Sequence, residues 1–132
     1  MNDKELRRVL SDYKRIAIVG LSAKESRASH RVARFMLEKG YEVIPVNPGY
    51  EEVLGLRCYP ALEDVPGPID IVDLFQRSEN VPPFVDQAIA IGARLVWMQL
   101  DVIHEESAQR ARDAGLEVVM DRCPKIEYER LM

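Results

Sequence analysis

Apolar positions fall into two alternating patterns along the chain. Residues 15–20, 41–46, 69–75, 94–100 and 116–120 are short, nearly continuous apolar runs. Between them, residues 29–39, 78–91 and 104–114 space their apolar positions at helical period and stop at Gly40, Gly92 and Gly115. A glycine just past the last periodic residue is a helix-end signal. Leu6, Val9 and Leu10 predict a helix over residues 3–13, with Asp3 as its cap and Glu5 in the first turn. Residues 124–131 read as a terminal helix. Pro82 and Pro83 fit a helix only in its first turn. Residues 51–68 are less regular, with a short extended segment over 53–59 and one helical turn over 61–65.

Continuous rather than alternating apolar strands, separated by helices, mark a parallel sheet covered on both faces. The expected fold is α/β: a Rossmann-like, doubly wound, mainly parallel five-stranded sheet with helices on both faces, in one domain over residues 1–132. Pro45 lies inside the second strand. It fits only if its missing N–H would face away from the ladder. Trp97 and Met98 belong to the core of the fourth strand.

Composition narrows the class. The chain is 47% hydrophobic and 30% charged, as in an ordinary globular protein. Its net charge of −4 argues against non-specific binding to nucleic acid or to a membrane surface. No run reaches the ~20 apolar residues of a membrane span, and no targeting signal stands at the start. Cys58 and Cys123 are too few for a disulfide scaffold or a zinc site. A cytoplasmic protein with reduced thiols is expected.

Ligands of open parallel sheets sit at the carboxyl ends of the strands. Those ends carry Gly20-Leu21-Ser22, Val46-Asn47-Pro48, Phe75-Gln76-Arg77-Ser78, Gln99-Leu100-Asp101 and Asp121-Arg122-Cys123. The loop after the first strand holds Lys24, Arg27 and Arg31 against Glu25, an excess of two positive charges in an acidic protein. Ahead of a helix start, this loop reads as a phosphate cradle, with Ser22 and Ser29 beside it. His30 is either a phosphate donor or a surface residue. His104 reads as a surface helix-start residue. A pairing of Asp73 with a loop N–H or an arginine is expected, since a buried unpaired carboxylate is costly.

The dinucleotide fingerprint G-x-G-x-x-G is absent, with Ser22 at the second glycine's place. No acid stands at the end of the second strand to hold ribose hydroxyls. A nicotinamide dinucleotide is therefore disfavoured. No nucleophile–base pair and no metal-ligand spacing is visible, so a binding module is the first reading. An acyl-CoA-processing enzyme and a redox-regulated interaction protein are the alternatives. Cys123 is either a small buried apolar residue or a thiol whose pKa is lowered by Arg122 and Lys125.

Gly20-Leu21-Ser22, Val43-Ile44-Pro45-Val46-Asn47-Pro48, Val72-Asp73-Leu74-Phe75 with Arg77, Val96-Trp97-Met98-Gln99 and Asp121-Arg122-Cys123-Pro124 occur in order over residues 14–131. Together they resemble the small stand-alone CoA-binding proteins, which are similar to the N-terminal domain of the succinyl-CoA synthetase alpha subunit. The resemblance implies coenzyme A, or an acyl-CoA, lying across the sheet's switch point. The loop from Gly20 to His30 would cradle phosphates. Val46, Asn47 and Pro48 would line the adenosine side, and Phe75 and Arg77 would run along the pantetheine; Val81 and Gln99 complete the candidate set. A cysteine at the place of Cys123 lies toward the reactive end of CoA, which implies a mixed disulfide there. The chain departs from the synthetase at Gly49-Tyr50-Glu51, where the synthetase has a basic residue, and it lacks the synthetase's second domain, so ligase chemistry is not implied. The acyl preference, a homodimer and an unidentified protein partner are left open.

Overall fold

The computed structural model describes residues 1–132. Along the chain it forms α1 (Asp3–Asp12), β1 (Arg15–Val19), α2 (Ala28–Glu38), β2 (Glu42–Val46), β3 (Glu52–Val53), β4 (Leu56–Arg57), β5 (Ile71–Leu74), α3 (Val81–Ala90), β6 (Leu95–Met98), α4 (Glu105–Asp113), β7 (Glu117–Val119) and α5 (Pro124–Leu131). Five strands make one sheet in the order β2-β1-β5-β6-β7, and every pairing in it is parallel. The first strand is therefore flanked by the second and third long strands. The switch point lies between β1 and β5, where the chain changes direction across the sheet.

Successive strand residues point to opposite faces, and the core divides accordingly. Ile16, Ile18, Ile71, Leu95 and Trp97 pack with Leu6, Leu10, Val32 and Met36 of α1 and α2. Ala17, Val19, Val72, Leu74, Val96 and Met98 pack with Val85 and Ala88 of α3 and Ala108 and Ala111 of α4. Helices thus cover both faces of the sheet. No helix is long and apolar enough to cross a membrane.

Pro45 lies on the outer edge strand. Its carbonyl accepts from Tyr59 on the open side, while the next carbonyl, of Val46, accepts from Gly20 on the inner side. The missing N–H therefore faces away from the ladder of β1. The irregular stretch after β2 contains a hairpin, β3 paired with β4, whose turn residues Leu54 and Gly55 both have positive φ (57° and 74°). Two local expectations are corrected. Asn2, not Asp3, caps α1: its side chain accepts from the N–H of Glu5 at 2.9 Å, leaving Asp3 to pair with Arg130. The proline pair does sit in the first turn of α3, but a separate 3-10 turn, Ser78–Asn80, precedes it.

Candidate functional site

The carboxyl ends of all five long strands open into one cavity of about 990 Å³, within the range of small-molecule sites. Its wall includes Asn47 and Tyr50 after β2, Gly20 and Ser22 after β1, Phe75 and Arg77 after β5, Gln99 and Leu100 after β6, and Cys123 and Ile126 after β7. Four strand spacings of about 4.8 Å make this opening roughly 19 Å long. It is a trough for an elongated ligand.

The wall is strongly cationic. It carries Lys24, Arg27, Arg31, Arg77 and Lys125 against the single acid Asp101, in a protein of net charge −4. Lys24, Arg27 and Arg77 make none of the ion pairs of the structure. Arg27 is also the N-cap residue of α2, and it makes no side-chain capping bond. Ala28 and Ser29, the first two residues of that helix, line the cavity. An uncapped helix N-terminus with free cations around it is an anion site by both dipole and charge.

Side chains brace the loop that builds it. Ser22 N–H donates to Ser29 Oγ at 3.0 Å, and Lys24 N–H donates to Ser22 Oγ at 3.1 Å. His30 is buried, and its Nδ1 lies 2.9 Å from the carbonyl oxygen of Ser22. A carbonyl only accepts, so Nδ1 carries the proton. His30 is neither a surface residue nor part of the cavity wall; it holds the loop. Asn47 ties β2 to this loop, with Nδ2 donating to the carbonyl of Leu21 at 3.1 Å.

Of the residues singled out in the sequence, Gly20, Ser22, Lys24, Arg27, Ser29, Asn47, Phe75, Arg77, Gln99 and Cys123 line the cavity. Leu21, Val46 and Val81 are buried core residues behind the wall, and Pro48 is exposed beyond its rim. Leu100, on a predicted strand end, also lines the cavity, whereas sequence reasoning missed Tyr50, Lys125 and Ile126 as wall residues. Tyr50 lies in the stretch Gly49-Tyr50-Glu51 where the chain departs from the synthetase, and that departure was the available signal.

Two buried groups differ from expectation. Asp73 is fully buried and neither carboxyl oxygen has a hydrogen-bond partner. Neither a loop N–H nor an arginine reaches it, so desolvation alone drives its pKa well above 3.8. Cys123 is also buried, and burial pushes its thiol upward rather than downward. Arg122 does not counter this because its guanidinium is turned to Glu127 at 3.2 Å. Lys125 pulls the thiol pKa down more weakly and is itself paired with Glu129 at 3.0 Å. Neither histidine is placed as a base for this thiol: His104 caps α4, its Nδ1 accepting from Ser107 N–H at 3.1 Å.

Comparison with known proteins places the chain in a family. A family model described as a CoA binding domain matches residues 14–129. The protein YneT of Bacillus subtilis, itself uncharacterized, is 40% identical over 124 residues, covering 94% of this chain and 92% of YneT. A solved structure of a hypothetical protein from Pyrococcus horikoshii superposes with a TM-score of 0.97 at 45% identity, over 99% of this chain and 92% of that one. The ADP-forming acetate–CoA ligase of Methanocaldococcus jannaschii is 28% identical over 85 residues, which is 64% of this chain but only 12% of the ligase.

Proposed function

The chain belongs to the CoA binding domain family, and from that premise we propose that it binds coenzyme A or an acyl-CoA along the carboxyl ends of its strands. The observation that carries the proposal is the pairing of an uncapped, cation-ringed helix start with a trough roughly 19 Å long. A compact nucleotide would use the first and leave most of the second empty. Phosphates sit at the start of α2, within reach of Lys24 and Arg27. Only one strand spacing separates β1 from the edge at β2, whereas three separate it from β7. The short side, walled by Asn47 and Tyr50, takes the adenosine. The long side takes the pantetheine arm, which brings its thiol toward Cys123.

The test is native mass spectrometry of the protein with added CoA. The parent is expected to carry one CoA. Ser22→Tyr, which fills the trough from its floor, should carry none while keeping the parent's circular dichroism spectrum. A folded Ser22→Tyr that still binds CoA would place the ligand elsewhere.

A further inference from the structure

We propose that the cavity favours an acyl-CoA with an apolar chain of medium length, the chain leaving the thiol end of the ligand between Leu100 and Ile126. This rests on the CoA reading above and on its orientation.

The observations lie at the far end of the trough. Gln99 lines it and is only 5% exposed, yet its Oε1 has no hydrogen-bond partner. A buried acceptor without a donor is a site for a ligand N–H. The amides of a pantetheine arm supply that donor; an alkyl ligand or an inorganic anion does not. Beside Gln99 the wall carries two large apolar side chains. Leu100 and Ile126 both line the cavity but stand 50% and 47% exposed. With Ile103, they are all the exposed large hydrophobic residues of the protein apart from the terminal Met1 and Met132. Such residues are normally scattered; here Leu100 and Ile126 line one cavity mouth.

Leu100 is held there by a strained turn. Asp101 next to it has a φ of 66°, in the left-handed region. Its N–H donates to Asp121 Oδ1 at 2.7 Å, and its carbonyl accepts from Ser78 Oγ at 3.3 Å. Ser78 Oγ also accepts from the N–H of Ile103 at 3.0 Å. Backbone strain persists where the surroundings over-determine it, and this turn keeps Leu100 out of the core and over the opening.

The size of this patch separates an alkyl chain from a protein partner. Two side chains are far short of the ~800 Å² that each partner contributes to a stable protein interface, whereas they match an alkyl chain. A dicarboxylic acyl group is the competing occupant: Lys125 pairs with Glu129 at 3.0 Å, whereas Arg77 lines the same cavity and makes no ion pair, so the titration below includes succinyl-CoA. A fully buried methylene improves affinity about fourfold, so lips half open to water should give about twofold per methylene.

The experiment is calorimetric titration of the parent and of the Leu100→Ser/Ile126→Ser double variant with CoA and with butyryl-, hexanoyl- and succinyl-CoA. Serine at these exposed positions leaves the core untouched. The parent should bind hexanoyl-CoA about fourfold more tightly than butyryl-CoA, and the double variant should lose that slope whatever its affinity for CoA itself. A flat series in a parent that binds CoA would overturn the acyl proposal and leave the lips to a protein partner. Succinyl-CoA binding more tightly than butyryl-CoA would overturn it in favour of charge reading. A parent that binds none of the four would overturn the CoA reading beneath it.

Discussion

A side chain on Gly20 would collide with the carbonyl oxygen of Phe75: a Cβ built there overlaps it and lies 2.9 Å from Gln76 Nε2. The two residues end neighbouring strands on either side of the switch point, so their close approach sets the floor of the trough. Gly20 also has a φ of +89°. Gly20→Ala should lower unfolding stability by about 2–4 kcal/mol, the sum of left-handed strain and a backbone clash. Gly92→Ala is the control: its φ is +71° with nothing within 4 Å, and only the ~1–2 kcal/mol of strain should be lost. Equal losses in denaturant unfolding would contradict the close approach.

Asp73 gives a prediction in pH. Its folded pKa lies above the ordinary 3.8, so above that pH the folded state keeps a proton that the unfolded chain has released. Stability from this group is therefore lost as pH rises through the window between the two values, at about 1.4 kcal/mol per unit. Asp73→Asn removes the effect. The variant's stability relative to the parent should grow from pH 4 upward at that slope until Asp73 ionises in the fold. A difference that stays constant from pH 4 to 8 would mean that the carboxyl is ionised and paired.

How much of this was visible in the sequence depends on the range of the forces involved. The strands and α5 could be read because apolar runs, glycine stops and Pro124 act locally. The fit of Pro45 could be stated as a condition, and edge placement then met it. The β3–β4 hairpin was hidden because Leu54, at a φ of 57°, is not a turn-forming residue type. The cap at Asn2 was displaced to Asp3 by one residue, within the usual uncertainty of helix ends. At the site, the loop cations were legible as a local cluster. Tyr50 and Ile126 became wall residues only when separate strand ends were brought together. His30 and Asp73 were misjudged for the same reason, since burial is a property of the assembled fold.

The cradle is tested by charge removal. Arg27→Ala and Lys24→Ala should each weaken CoA binding by about 0.5–2 kcal/mol, the scale of partly exposed charge-assisted hydrogen bonds. For whichever residue meets the ribose phosphate, the loss should shrink when dephospho-CoA is used. Parent-like affinity in both variants would move the phosphates away from α2.

Cys123 is the thiol within the trough, whereas Cys58 lies outside it with its Sγ donating to the carbonyl of Asn47 at 3.4 Å. On the proposed orientation, CoA disulfide should be attacked by the Cys123 thiolate, releasing one CoA thiolate and leaving one CoA in a mixed disulfide. Because burial holds this thiol above its ordinary 9.0, the rate should rise roughly tenfold per pH unit from pH 7 to 9. Mass spectrometry should find the adduct in Cys58→Ser, lose it in Cys123→Ser, and see it reversed by dithiothreitol. An adduct surviving in Cys123→Ser would leave Cys123 as a packing residue.

The central claim is that the strand ends form a CoA trough rather than a general dinucleotide site. Calorimetric titration of the parent protein with CoA, NAD and FAD in one buffer tests it most directly. The uncapped helix start, the free cations beside it and the lack of an acid at the end of β2 predict that CoA binds more tightly than either dinucleotide. NAD or FAD binding as tightly as CoA, or more tightly, would contradict it.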